Sequence, residues 1–402
     1  MKRLVVILAV VCILFAGVVG YMTYIDQPEK EAEPTAEPET TGTPEAEESA
    51  APITVLTLDY DALYASHEPD EVVAQINGKD VRWDEYFYWI AATAGQVENY
   101  ISTMANYGLA VNWDDPWSTE SEQSFVEYVV WSSEENLKML ATVEDFAAEN
   151  DVQLSEEILA QIDEEIQSTI ASVCGEDADE EDFEEYLKSL YMTRAIYERM
   201  TRTNYLYQEG YNQLYGKNGE LVSDEAALNY LTDNEYLSAT HILLMTVDSA
   251  TGEALDEDTI AQQKAKAEEL AAELQAITDQ QELVARFAEL KEQYCEDTGK
   301  TLYPDGYTFT PGTMVAEFED TCKALEEYQV SDPVLTTYGY HVIMRLPLSA
   351  DGIIDYSSAG TPLTARSYTA NAEYASRMDA QYEKAVFEYV PGFTINIEEF
   401  LK

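Results

Sequence analysis

Ala239-Thr240-His241-Ile242-Leu243-Leu244 and, a hundred residues on, Thr336-Thr337-Tyr338-Gly339-Tyr340-His341-Val342-Ile343-Met344-Arg345-Leu346 decide the fold. Both runs are rich in apolar, β-branched and aromatic residues, so each reads as a strand with a histidine at its rim. Between them come a long helical pattern, then Tyr294-Cys295-Glu296-Asp297, then Gly312-Thr313-Met314 leading to Phe318-Glu319. The chain has three histidines, and the third, His67, stands in an acidic stretch that reads as linker. A lone histidine on an apolar strand is usually a satisfied core residue. Two of them, bracketing a helix, strand and loop set, point instead to a shared site.

Taken in this order, the four runs resemble the parvulin family of peptidyl-prolyl cis-trans isomerases. That family carries His-Ile-Leu on its first strand, then Tyr-Ser-x-Asp, then Gly-x-Met-x-x-x-Phe-Glu opening a helix, and last Thr-x-x-Gly-Tyr-His-Ile-Ile. The matching residues here are His241-Ile242-Leu243, Tyr294 to Asp297, Gly312 to Met314 with Phe318-Glu319, and Thr336 with Gly339 to Ile343. The resemblance covers Tyr236 to Leu346. It implies a small antiparallel sheet flanked by helices, acting on X-Pro bonds. It also implies His241 and His341 as a central pair, with Asp297 beside the substrate carbonyl. Met314, Phe318 and Tyr338 become the walls of a proline pocket. Met314 and Phe318 are four apart on an expected helix, hence on one face. Cys295 stands where serine is usual and is given no reactive role.

Two departures qualify the match. Where the family has Gly-Gly-x-Leu-Gly, this chain has Tyr303-Pro304-Asp305-Gly306-Tyr307-Thr308-Phe309, which keeps one glycine and loses the apolar pocket residue. The loop Thr246 to Thr259 carries Asp and Glu but no Arg or Lys. Phosphate recognition needs cationic donors, so a phospho-Ser/Thr-Pro preference is not expected.

Composition narrows the partners. The 402 residues hold 78 Asp and Glu against 22 Lys and Arg, a formal charge of -56 with 46% apolar content. Such a field repels nucleic acid and anionic lipid and suits cationic or neutral polypeptides. The four cysteines show no CxxC or Cys/His metal spacing, so no metal or cofactor is expected, and the thiols read as unpaired.

The domain plan follows from shifts in pattern. Residues 1–25 begin Met1-Lys2-Arg3 and run apolar from Leu4 to Ile25 without a charge, long enough to cross a bilayer. An uncleaved anchor with the bulk of the chain outside the cell membrane is the preferred reading. Cleavage near Val18-Val19-Gly20, giving a secreted protein, is the alternative. Residues 26–69 read as an acidic disordered linker. Residues 70–234 read as a mostly helical domain, opened by a hairpin with Asn77-Gly78 at its turn and Val81 on the return strand. That opening resembles extracytoplasmic foldases of the PrsA and SurA type. Apolar rows such as Ile158, Ile162, Ile166 and Ile170 carry the helices onward. Residues 235–347 are the parvulin-like domain.

Residues 348–402 are expected to give a helix over Thr364 to Val390 and then a strand through Phe393, Ile395 and Ile397. That strand needs a partner, and the Val72–Ile76 hairpin offers one. The fold class is therefore α+β: a parvulin-like domain inserted into a helical domain built from both chain ends. Tyr86, Tyr88, Trp89, Tyr100, Tyr107, Trp113, Trp117, Tyr128 and Trp131 crowd one part of the helical domain, and amphipathic rings suit a cradle for unfolded segments. The expected activity is X-Pro isomerisation of unfolded exported polypeptides. A non-catalytic holdase with a degenerate parvulin module, or a structural surface protein, stands as the alternative.

Overall fold

The computed structural model describes residues 54–402, so the expected anchor at 1–25 and most of the expected linker lie outside the described residues. Within the described chain two compact units form, one from residues up to Gly210 together with Ala375–Lys402, the other from Tyr211–Tyr374.

The first unit starts earlier than the linker reading allows. Helix α1 (Tyr60–Tyr64) is capped by the Asp59 side chain, which accepts the Ala62 N–H. Leu58 and Leu63 are buried, and the Trp83 and Trp113 indoles donate to the carbonyls of Tyr64 and Leu56. His67 lies against the rings of Trp83 and Phe393. The acidic composition of this stretch hid two leucines whose removal from water is worth about 2 kcal/mol each. Residues 54–69 therefore belong to the folded unit.

The hairpin forms as its turn residues require. Strands β1 (Val72–Ile76) and β2 (Lys79–Arg82) pair antiparallel around Asn77 and Gly78, both at positive φ. Five helices follow: α2 (Trp83–Asn106), α3 (Phe125–Glu149), α4 (Glu156–Cys174), α5 (Glu180–Ser189) and α6 (Arg194–Tyr215). Ser124 and Glu127 form a capping box at the start of α3. Ser155 caps α4, whose Ile162, Ile166 and Ile170 form a buried row. Asp179 and Asp182 cap α5, so the carboxylate-rich run there serves as a helix entry.

The second unit opens with α7 (Asp224–Asp233), capped by Ser223. Strand β3 (Leu237–Met245), helices α8 (Glu257–Gln275) and α9 (Gln280–Tyr294), strand β4 (Tyr307–Phe309), helix α10 (Ala316–Ala324) and strands β5 (Val334–Leu335) and β6 (Gly339–Leu346) follow. They form an antiparallel sheet in the order β4-β3-β6-β5. The β3–β6 register sets His241 opposite Ile343 and Leu243 opposite His341. Because faces alternate along a strand, both histidines point to the same side of the sheet. The other side carries Ile242, Leu244, Val342 and Met344, packed with Leu270, Leu274, Phe287 and Leu290 from α8 and α9. On the histidine side, Ala239, Phe309 and Ile343 pack with Phe318 and Cys322 from α10. Gly339 starts β6 at φ 151, where an added Cβ would meet Met245 Cα at 2.8 Å; only glycine fits.

A small ladder, β7 (Ile353–Tyr356) with β8 (Pro362–Thr364), leads into α11 (Ala365–Tyr382). This unit is broader than the expected 235–347. Arg366 reaches back to the Val222 carbonyl and the Asp224 carboxylate, and Leu231 of α7 is fully buried. The boundary between units falls inside α6 and α11.

The chain then returns to the first unit through β9 (Phe387–Tyr389), which pairs antiparallel with β1. The expected partner is right and the expected strand is not. The helix stops at Tyr382 instead of Val390, because Asn77 Oδ1 accepts the Val386 N–H and draws the next residues onto the hairpin edge. Phe393 to Ile397 forms no strand; Ile397 is buried at the head of a single 3-10 turn over Ile397–Phe400.

Candidate active site

The site is assembled on the histidine face of the four-stranded sheet. His241 and His341 sit diagonally across β3 and β6, with ring centroids 5.0 Å apart and planes 77° to each other. Phe318 of α10 approaches both edge-on, at 5.3 Å from His241 and 5.6 Å from His341. All three side chains are buried. Thr336, just before the turn into β6, places its hydroxyl 2.9 Å from His341 Nε2 and also accepts the Tyr338 N–H.

Asp297 reaches the other end of the histidine pair from the loop after α9. Its Oδ2 lies 3.2 Å from His241 Nε2, though that nitrogen is not aligned for a hydrogen bond. The same oxygen accepts the Tyr307 hydroxyl at 2.5 Å, and Oδ1 accepts the Gly299 N–H at 2.9 Å. Cys295 is buried beneath β3, where its sulfur accepts the Leu243 N–H at 3.4 Å and stands 3.7 Å from the His241 carbonyl.

These contacts separate the two imidazoles electrostatically. Burial, reinforced by His241, depresses His341 from 6.5 to about 3, so it is neutral at working pH. Burial pulls His241 down as well, but the Asp297 carboxylate and the Cys295 sulfur outweigh it and leave the pKa raised. Burial would raise Asp297; the His241 ring, the Tyr307 hydroxyl and the Gly299 N–H hold it well below the usual carboxylate range. Cys295 is likewise lowered, its burial outweighed by His241 and the Leu243 N–H. The result is a buried cluster of two histidines and a phenylalanine with one fixed negative charge at its edge.

The sequence-derived residues fall into place unevenly. His241, His341, Asp297 and Phe318 converge. Met314 is not on the helix: α10 begins at Ala316, after a turn in which Gly312 takes positive φ. The turn, rather than a helical face, brings Met314 against the Phe309–Phe318–Cys322 cluster, where it is half-buried. Tyr338 is 53% exposed, and its carbonyl accepts the Thr246 N–H. Sequence reasoning gave no role to Tyr307, although a tyrosine two residues from Phe309 in a strand-like run was a readable sign that it shares the face of that core residue. Of the aromatic group in the first unit, Tyr86, Tyr88, Trp89 and Trp113 are core; Tyr100, Tyr107, Trp117 and Trp131 are exposed. Tyr128 stacks on Trp117 at 4.7 Å and lies 6.0 Å from Trp131. Among the described residues, no group of His, Cys, Asp and Glu has metal-binding geometry.

Sheet order, histidine pair and Phe318 together define a parvulin-type peptidyl-prolyl isomerase domain, and residues 241–346 match the rotamase family model, described as a PPIC-type PPIase domain. Among individual proteins, the chain is similar to foldase protein PrsA 3 of Bacillus cereus, 53% identical over 58 residues, or 14% of this chain and 20% of that one. It is also similar to foldase protein PrsA 1 of the same organism, 33% identical over 136 residues, covering 32% of this chain and 39% of that one. The aligned stretches thus span a fifth to two fifths of those relatives. The crystal structure of PrsA from Bacillus subtilis overlaps at a TM-score of 0.24 with 17% identity, covering 79% of this chain and 92% of that one.

Proposed function

We propose that this chain is an extracytoplasmic foldase that catalyses cis-trans isomerisation of X-Pro bonds in unfolded exported polypeptides. The observation that carries the reading is the mutual edge-on packing of His241, Phe318 and His341 on one sheet face, with Asp297 at its rim. X-Pro rotation faces a barrier of ~20 kcal/mol set by amide resonance. A dry, apolar hollow disfavours the planar, charge-separated amide by removing water from its oxygen, and the twisted state suffers less from that loss. Phe318 and Met314 wall the place for a pyrrolidine ring, with Tyr338 at the mouth. Neutral His341, held by Thr336, and His241, held near Asp297, orient the floor. The chemistry needs no proton transfer to the protein. The acidic 246–259 loop supports clients without phosphate.

Residues 1–25, with Lys2 and Arg3 at the head of an apolar run, are proposed to tether the protein to the cell membrane. Among the described residues no helix is long and apolar enough to cross a membrane.

Proline-limited refolding of a model substrate tests the proposal. The full chain should accelerate the slow phase; His241→Ala and Phe318→Ala should remove most of that acceleration. Equal rates for wild type and both variants would refute catalysis at this site. The Trp117–Tyr128–Trp131 ladder, with both tryptophans exposed and Tyr128 half-buried between them, favours a second reading, a holdase that binds extended segments. Suppressed client aggregation without any isomerisation would select it.

A further inference from the structure

We propose that Tyr307 is a positioning residue of the isomerase site, fixing the Asp297 carboxylate with its hydroxyl and bracing the His241 ring with its face. This role rests on the catalytic reading above. Tyr307 lies opposite Ala239 in the β3–β4 ladder, so its side chain emerges on the histidine face one step from His241. The two rings are parallel within 6°, with centroids 5.6 Å apart. Tyr303 stacks on Tyr307 in turn at 4.7 Å, and Tyr356 meets Tyr303 edge-on at 5.7 Å. The phenol is thus held within a row of rings.

Its single hydroxyl proton is committed. It goes to Asp297 Oδ2 at 2.5 Å, and the carboxylate in turn keeps the phenol protonated, since burial and Asp297 together push the Tyr307 pKa far up. Gly299 completes the arrangement. Its N–H holds Asp297 Oδ1, and a Cβ at this position would collide with the Tyr307 hydroxyl. A carboxylate offers about four acceptor positions. With Tyr307 on Oδ2, Gly299 on Oδ1 and the His241 ring 3.2 Å from Oδ2, the carboxylate keeps one orientation. Without the hydroxyl, Oδ2 loses its only well-aligned donor, and the carboxylate can rotate away from His241.

A double-mutant cycle on the full chain tests this, using kcat/KM for an X-Pro peptide and, separately, the Kd of an unreactive peptide. Tyr307→Phe keeps the stacked ring and removes the clamp. It should lower kcat/KM about ten- to a hundredfold and leave Kd unchanged. Asp297→Asn should lose at least as much, and the double variant should match Asp297→Asn alone, because Tyr307 acts through that carboxylate. Tyr307→Leu, lacking the ring face as well, should fall below Tyr307→Phe. Four results overturn the role: Tyr307→Phe as active as wild type, losses that multiply in the double variant, Asp297→Asn as active as wild type, or Tyr307→Leu equal to Tyr307→Phe. A wild-type chain without isomerase activity overturns the catalytic reading itself, and this role with it.

Discussion

Replacing His341 by Asn should make the second unit less sensitive to acid. In the folded chain His341 titrates at about 3 against an ordinary 6.5. A group depressed on folding lends stability that is complete above its unfolded value and is lost as pH falls towards its folded one. Between pH 7 and 5 the unfolded chain takes up this proton and the folded chain does not, so wild type should lose about 2 kcal/mol through His341 alone. His241, raised on folding, works in the opposite direction, and depressed Asp297 works in the same direction at lower pH. Both remain in the variant and cancel in the comparison. Holding the pH at 5 or above also keeps the protein clear of its pI near 4.1, where net charge vanishes and chains associate.

The probe must report on the right unit. All five tryptophans, at 83, 89, 113, 117 and 131, lie in the first unit, so their fluorescence says nothing about this site. The methyl signal of Met344, buried on the opposite side of the same sheet, does. Urea unfolding followed by that signal should show wild type losing about 2 kcal/mol more than His341→Asn on going from pH 7 to 5. Parallel losses in the two proteins would refute a buried, neutral His341.

Thr336→Val keeps the shape of the side chain but strips the partners from His341 Nε2 and the Tyr338 N–H. It should cost about 1–3 kcal/mol in the same Met344 assay, the expected penalty for orphaned buried polar groups. Asn77→Ala removes a side chain that bonds both Asp145 and the Val386 N–H and a residue that tolerates positive φ. It should destabilise the first unit by about 1–2 kcal/mol, read by tryptophan fluorescence, with the isomerisation rate unchanged.

The inserted fold was legible because its strands carry their signal locally: β-branched runs, a histidine in each, and a Gly-Tyr-His turn that only glycine can start. The shared face of His241 and His341 was reached through the parvulin resemblance and not from the residues alone, since register depends on which residues pair across a hundred-residue gap. Met314 was misplaced because four-residue spacing is equally satisfied by a turn that folds back on its helix. Tyr307 escaped notice because its value lies in reaching Asp297, ten residues away with a 3-10 turn between them. The terminal strand was assigned to Phe393–Ile397 on alternation alone. Edge pairing with β1, helped by Asn77, selected Phe387–Tyr389 instead. The stretch before the hairpin was read by its charge, and two leucines decided otherwise.

Closure of the first unit by β9 and by the backbone bonds between Thr57 and Lys402 sets an order of events during synthesis. The ribosome delivers Leu58 and the hairpin long before their last partners exist. Residues 211–374 emerge whole in the interval and hold all the strands of their own sheet. The inserted unit can therefore mature first, while the segment that precedes it waits, with its hairpin edge open, for the final sixteen residues from Phe387 onward. Deleting those residues should leave the sheet bearing both histidines intact and the opening segment without its closing strand.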